Sequence, residues 1–140
     1  MKKIGLLLFG ILLGVVVLAQ TIPRQVGGSE ISTGKLVNTL RLLNTNEYSY
    51  QHENHQFADR DQMLAFLRQK DLLSKSPVDL ENPNPYELAI TTTSDGMHYQ
   101  ITIRPSDMND KSTWCKIAAF SDEKGVIFLG QATGCEAAHH

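Results

Sequence analysis

The hydrophobic period changes once along this chain and does not change back. From Lys35 to Gln51 apolar residues recur at steps of three and four: Leu36, Val37, Leu40 and Leu43, with Glu47 on the same stripe and Leu42, Tyr48 and Tyr50 widening it. That spacing predicts an amphipathic helix. Ser32 or Thr33 can supply its capping oxygen. Asn44, Asn46 and Ser49 are weak helix formers, so packing has to hold the second half. The pattern fails at His52-Glu53-Asn54-His55, which reads as the exit loop. A second, shorter helix is expected from about Asp61 to Lys70, with Met63, Leu64, Phe66 and Leu67 as its apolar face and Asp59 or Asp61 as its cap. Ser74 to Pro85 contains Pro77, Pro83 and Pro85 and reads as a loop.

Beyond Pro85 the period is two. Tyr86 to Thr93 alternates, with Tyr86, Leu88, Ile90 and Thr92 on one face. Ser94-Asp95-Gly96 signals a turn, and Tyr99 to Arg104 alternates again through Tyr99, Ile101 and Ile103 until Pro105. Thr113 to Phe120 and Val126 to Leu129 read as two more strands, joined by Ser121-Asp122-Glu123-Lys124-Gly125 with glycine at the left-handed position. Helices first and strands afterwards imply an α+β fold with an antiparallel sheet. One helix has an apolar stripe and the sheet has a face to bury. The expected architecture is therefore the N-terminal helix packed across a four-stranded antiparallel sheet built of two hairpins, with one extra short helix.

The N-terminus points to export. Met1-Lys2-Lys3 precedes Ile4 to Ala19, an unbroken run without a polar side chain, and Gln20, Thr21 and Pro23 follow. These are the parts of a secretory signal peptide. Val17 and Ala19 are small enough for the −3 and −1 subsites, which places the cut between Ala19 and Gln20. No cysteine follows the apolar run to carry a lipoprotein anchor. As an uncleaved helix the run would span roughly 24 Å at ~1.5 Å per residue, short of a hydrocarbon core of roughly 30 Å. The expected organisation is a signal peptide at 1–19, a linker at 20–31, one domain at 32–136 and a disordered tail at 137–140. Whether His139 and His140 are native is left open. In an oxidising compartment Cys115 and Cys135 are expected to pair. Closing that loop would stabilise by ~3 kcal/mol on chain-entropy grounds. Two free thiols or a redox pair are the alternatives.

Composition and motifs give little support to catalysis. A formal net charge of −2 and a pI near 6.2 do not favour nucleic acid or a polybasic membrane patch. Two cysteines are too few for a four-cysteine zinc site. His52 and His55 stand three apart rather than in the His-Glu-x-x-His pattern, and His98 is distant; a solvated loop outweighs a metal site. Cys115 has no local arrangement to activate it as a nucleophile. Asp107, Asp110, Asp122 and Glu123 lack the regular oxygen spacing of a calcium loop. Trp114 and Phe120 could mark a binding patch, although core packing is the commoner fate of such residues. No nucleophile elbow, phosphate-binding glycine loop or dinucleotide fingerprint is present. The reading is of no catalytic residue, no cofactor and no metal ligand.

The run Thr39-Leu40-Arg41-Leu42-Leu43-Asn44-Thr45-Asn46-Glu47-Tyr48-Ser49-Tyr50 resembles the helix stretch of bacterial type IV pilin-like and pseudopilin proteins, where a Ser-Leu-Arg-x-Ile-Asn-Thr-type run precedes Tyr. Ile22-Pro23 is similar to the Ile-Pro that follows that family's apolar segment. Phe57 with Met63-Leu64 and Leu72-Leu73 resembles its next segment, a loop and then a short leucine-rich helix. Phe120 to Ile127 and the late Cys135 resemble its final hairpin and C-terminal cysteine. The likeness spans most of 22–135. The prepilin Phe-Thr-Leu-Ile-Glu start is missing: Leu6-Leu7-Leu8-Phe9-Gly10 follows Lys2-Lys3-Ile4-Gly5, and the apolar segment holds no glutamate. The resemblance implies a pilin-like globular head without the filament stem, periplasmic or secreted, non-catalytic, with protein partners and no nucleic acid. The alternatives are a minor pseudopilin held in the membrane by an uncleaved or Gly5-cut N-terminus, and an exported small enzyme or metal or ligand binder.

Overall fold

The computed structural model describes residues 31–107 and 116–131. The expected signal peptide, the expected linker but for Ile31, Trp114, Asp110, Cys115, Cys135 and the tail lie outside the described residues. Among the described residues the element order is α1 (Thr33–Asn54), α2 (Arg60–Gln69), a short 3₁₀ turn (Leu73–Lys75), β1 (Tyr86–Thr92), β2 (Tyr99–Pro105), β3 (Ile117–Asp122) and β4 (Ile127–Gln131). The fold class is α+β: two helices and one four-stranded antiparallel sheet.

Helix α1 begins at Ser32, whose hydroxyl accepts the Lys35 N–H at 3.4 Å. It runs past the expected exit and takes in His52, Glu53 and Asn54. Two features accompany the longer helix, of which the contact with α2 holds its last turn. The polar residues of its second half return their side chains to the carbonyls four residues back, Thr45 to Arg41, Asn46 to Leu42, Ser49 to Thr45 and Asn54 to Tyr50. The last turn is also clamped on α2, through the Glu53–Lys70 ion pair at 2.8 Å and an edge-on contact of Tyr50 with Phe66. The helix stops at His55, which turns left-handed (φ 62°) and donates its N–H to Gln51.

Helix α2 starts with a capping box. Asp59 accepts the Gln62 N–H, and the Gln62 side chain accepts the Asp59 N–H. It ends in a Schellman arrangement, with the Leu72 N–H on Leu67 C=O, the Asp71 N–H on Arg68 C=O and Asp71 left-handed (φ 55°). The proline-marked loop is not merely polar, since it buries Val78 and Leu80.

The strands form a meander in the order β1-β2-β3-β4 rather than two separate hairpins, because β2 also pairs with β3. Strand β2 runs one residue further than expected, and Pro105 lies opposite Tyr86. The described part of β3 begins at Ile117 and extends through Asp122, and β4 is shifted to Ile127–Gln131. Alternation sends Tyr86, Leu88, Ile90, Tyr99, Ile101, Ile103 and Ala119 to one face, where they meet Leu36, Leu40 and Leu43 of α1 and Met63 and Leu67 of α2. Helix α1 packs on β3 and helix α2 on β1, so the two helices share the inner face. Among the described residues α1 and α2 both contact that face, and no element covers the opposite face. There Glu87 and Arg104 pair across β1 and β2 at 2.6 Å, and the Phe120 and Phe128 rings meet at 5.8 Å. Among the described residues no helix is long and apolar enough to cross a membrane.

Candidate functional site

Polar side chains converge at one end of the sheet, where the β1–β2 and β3–β4 turns meet the second half of α1. Asn44 stands on the inner stripe of α1, facing the sheet. Its Oδ1 accepts the Tyr99 hydroxyl at 3.1 Å, and its Nδ2 donates to Ser121 Oγ at 2.8 Å. Ser121 in turn donates to the Val126 carbonyl at 3.0 Å. This chain crosses from β2 through α1 to β3 and the final turn, inside an otherwise apolar layer. Every polar atom in it has a partner, which buried polar groups require. Burial pushes Tyr99 well above the ordinary phenol range, so it stays a neutral donor.

One turn further along α1, Glu47 is completely buried. Its Oε2 accepts the Ala58 N–H at 2.9 Å, while Oε1 has no hydrogen-bond partner among the described residues. Burial pushes Glu47 up to about 7; the Ala58 N–H opposes this and the nearby Asp59 carboxylate adds to it. Tyr48 points outward and donates its hydroxyl to the Glu123 carbonyl, tying α1 to the β3–β4 turn. Phe57 stacks edge-on against both Tyr48 and Tyr99.

Above this layer is an open depression of about 310 Å³ lined by Thr92, Thr93, His98, Tyr99, Phe120 and Glu123. His98 Nδ1 lies 3.2 Å from Glu123 Oε1, a pair joining the two turns. Glu123 is held below the usual carboxylate range by a backbone N–H and by His98. Asp95 is held low by the Thr93 hydroxyl and the Met97 N–H, which shape the β1–β2 turn. The depression can accept a polar group. It offers one imidazole–carboxylate pair and hydroxyls, without a nucleophile beside a base.

The residues weighed in the sequence as possible ligands scatter. His52 lies in the last turn of α1, His55 is its cap, and both are exposed; His98 belongs to a different turn and pairs with Glu123. Among the described residues, no three His, Cys, Asp or Glu side chains gather as a metal group. Asp107 follows β2, while Asp122 closes β3 and accepts the Lys124 N–H. Phe120 lies against Phe128 on the sheet face away from the helices rather than in the core. The pairing of Cys115 with Cys135 lies outside the described residues. Sequence reasoning placed Glu47 on the apolar stripe and Asn44 only as a weak helix former. The signal it carried for a buried polar seam was a carboxylate and an amide at core spacing. The chain matches no protein-family model, no curated protein and no solved structure.

Proposed function

We propose that this chain is an exported, non-catalytic domain with a structural or protein-binding role, comparable to the globular head of pilin-like proteins. One observation carries the reading: a 22-residue helix seated on the inner face of an antiparallel sheet ordered β1-β2-β3-β4, downstream of the apolar run Ile4 to Ala19. In this reading 1–19 is removed at Ala19–Gln20, 20–31 is a linker and Cys115–Cys135 is a disulfide. The domain is periplasmic or secreted, needs no cofactor or metal, and meets protein partners through its surface. The side of the sheet away from the helices supports such a role, because Phe128 is 54% exposed there on the edge strand β4, against Phe120.

The experiment is the intact mass and cell fraction of the natively exported protein. A soluble species beginning at Gln20, two mass units lighter than the reduced form, is the expected result. A membrane-bound species that retains Leu6 would replace this reading with a membrane-held pseudopilin. Both thiols free in exported material would remove the disulfide from it.

A further inference from the structure

Glu47 is the only acidic or basic side chain among the described residues that is fully enclosed. It sits beneath the connection between α1 and α2. That connection is held at two points: the Ala58 N–H on Glu47 Oε2 and the Phe57 N–H on the Gly96 carbonyl at 2.8 Å. Gly96 is left-handed and so close to Gln56 that an added Cβ would come within 2.8 Å of the Gln56 Cβ. The connection is thus wedged between α1 and the β1–β2 turn, with Ala58 itself fully buried.

The enclosing groups favour a neutral acid. The titratable groups facing Glu47 are Asp59, the cap of α2, and Tyr99 from β2, whose hydroxyl is committed to Asn44. On its own helix the neighbouring Tyr48 is committed to Glu123. The cations of α2 and its cap are paired elsewhere, Arg60 with Asp61, Arg68 with Glu81 and Lys70 with Glu53, and no ion pair reaches Glu47 among the described residues. A protonated Glu47 keeps its carbonyl oxygen for Ala58. An ionised Glu47 is an uncompensated charge in the core beside a second carboxylate.

We propose that Glu47 is a proton-controlled latch, which when protonated holds residues 56–59 and the head of α2 against α1 and when ionised releases them to solvent. Release would uncover Phe57, Ala58 and the adjoining Met63, turning a proton into an exposed apolar surface. The tendency of Glu47 to titrate close to neutrality places the change within an ordinary environmental range.

The test is amide hydrogen exchange on the full ¹⁵N-labelled chain between pH 5.5 and 8.5, corrected for intrinsic exchange, together with ¹³C titration of the Glu47 carboxyl. The latch requires opening at Phe57 and Ala58 to rise about tenfold or more across this range. It also requires these amides to open more easily than Ile101, so that the connection moves without the sheet unfolding. In Glu47→Gln, which keeps the acceptor for Ala58, the rise should vanish. In Asp59→Asn, which keeps a capping side chain, the Glu47 midpoint should move to lower pH. If Glu47→Gln does not fold, the wild-type carboxyl titration and Asp59→Asn still decide. A carboxyl midpoint near 4.5, equal opening at Ala58 and Ile101, or an undiminished rise in Glu47→Gln would each overturn the proposal.

Discussion

Asn44 shows what a single side chain contributes here. Its amide holds the Tyr99 hydroxyl on one side and the Ser121 hydroxyl on the other, so it sets where α1 rests along β2 and β3. Asn44→Ala would leave the buried Tyr99 hydroxyl without its acceptor and take a donor from Ser121, which keeps its bond to the Val126 carbonyl. The expected loss is about 1–3 kcal/mol, read from the midpoint of chemical unfolding. A loss within the error of a surface substitution such as Arg41→Ala would mean that the seam does not position the helix. Glycines were easier to read at this scale. Gly96 and Gly125 are both left-handed, at φ 67° and 70°, in the two turns where Asp95-Gly96 and Lys124-Gly125 signalled them. A turn needing positive φ is written in local sequence, because only glycine adopts it without a Cβ penalty. The partners of Asn44 lie far away in sequence and that of Glu47 lies beyond the end of its own helix, and no local rule names them.

Among the elements, α1 is the part whose stripe was legible and whose end was not. Leu36, Leu40 and Leu43 are fully buried, as their spacing demands. Leu40→Ala or Leu43→Ala should cost ~2–5 kcal/mol in thermal or denaturant unfolding, and an unchanged midpoint in either would contradict their place in the core. The helix continues through His52, Glu53 and Asn54 because Lys70 and Phe66 of α2 grip its last turn. Intrinsic propensity argued for an earlier stop, and tertiary contact outweighed it. Strands were the more faithful reading. Tyr86, Leu88, Ile90, Tyr99, Ile101 and Ile103 all face the core, because a period of two leaves only one choice of face once the first residue is buried.

For the molecule as a whole, the buried carboxyl makes stability depend on pH in a stated direction. The folded chain holds the Glu47 proton up to about pH 7, whereas the ordinary value is 4.5. Below the lower value both states are protonated and this group adds no slope. Between the two the folded state binds more protons, so stability falls as pH rises; above the upper value it is flat again. The fall amounts to roughly 3 kcal/mol across that window and should be absent in Glu47→Gln, as measured by urea midpoints at pH 4.5 and 7.5. A parallel fall in the variant would assign the slope to other groups. The sequence by itself determined the α+β class, the two turns, the core faces of β1 and β2 and the apolar stripe of α1. All of these follow from periodicity and from backbone limits acting within a few residues. Only the tertiary structure decided that β2 also pairs with β3, that α1 extends to Asn54, and that Asn44, Ser121 and Tyr99 join in one buried seam beside Glu47. Those outcomes depend on which distant groups are brought together, and on how far each is removed from water.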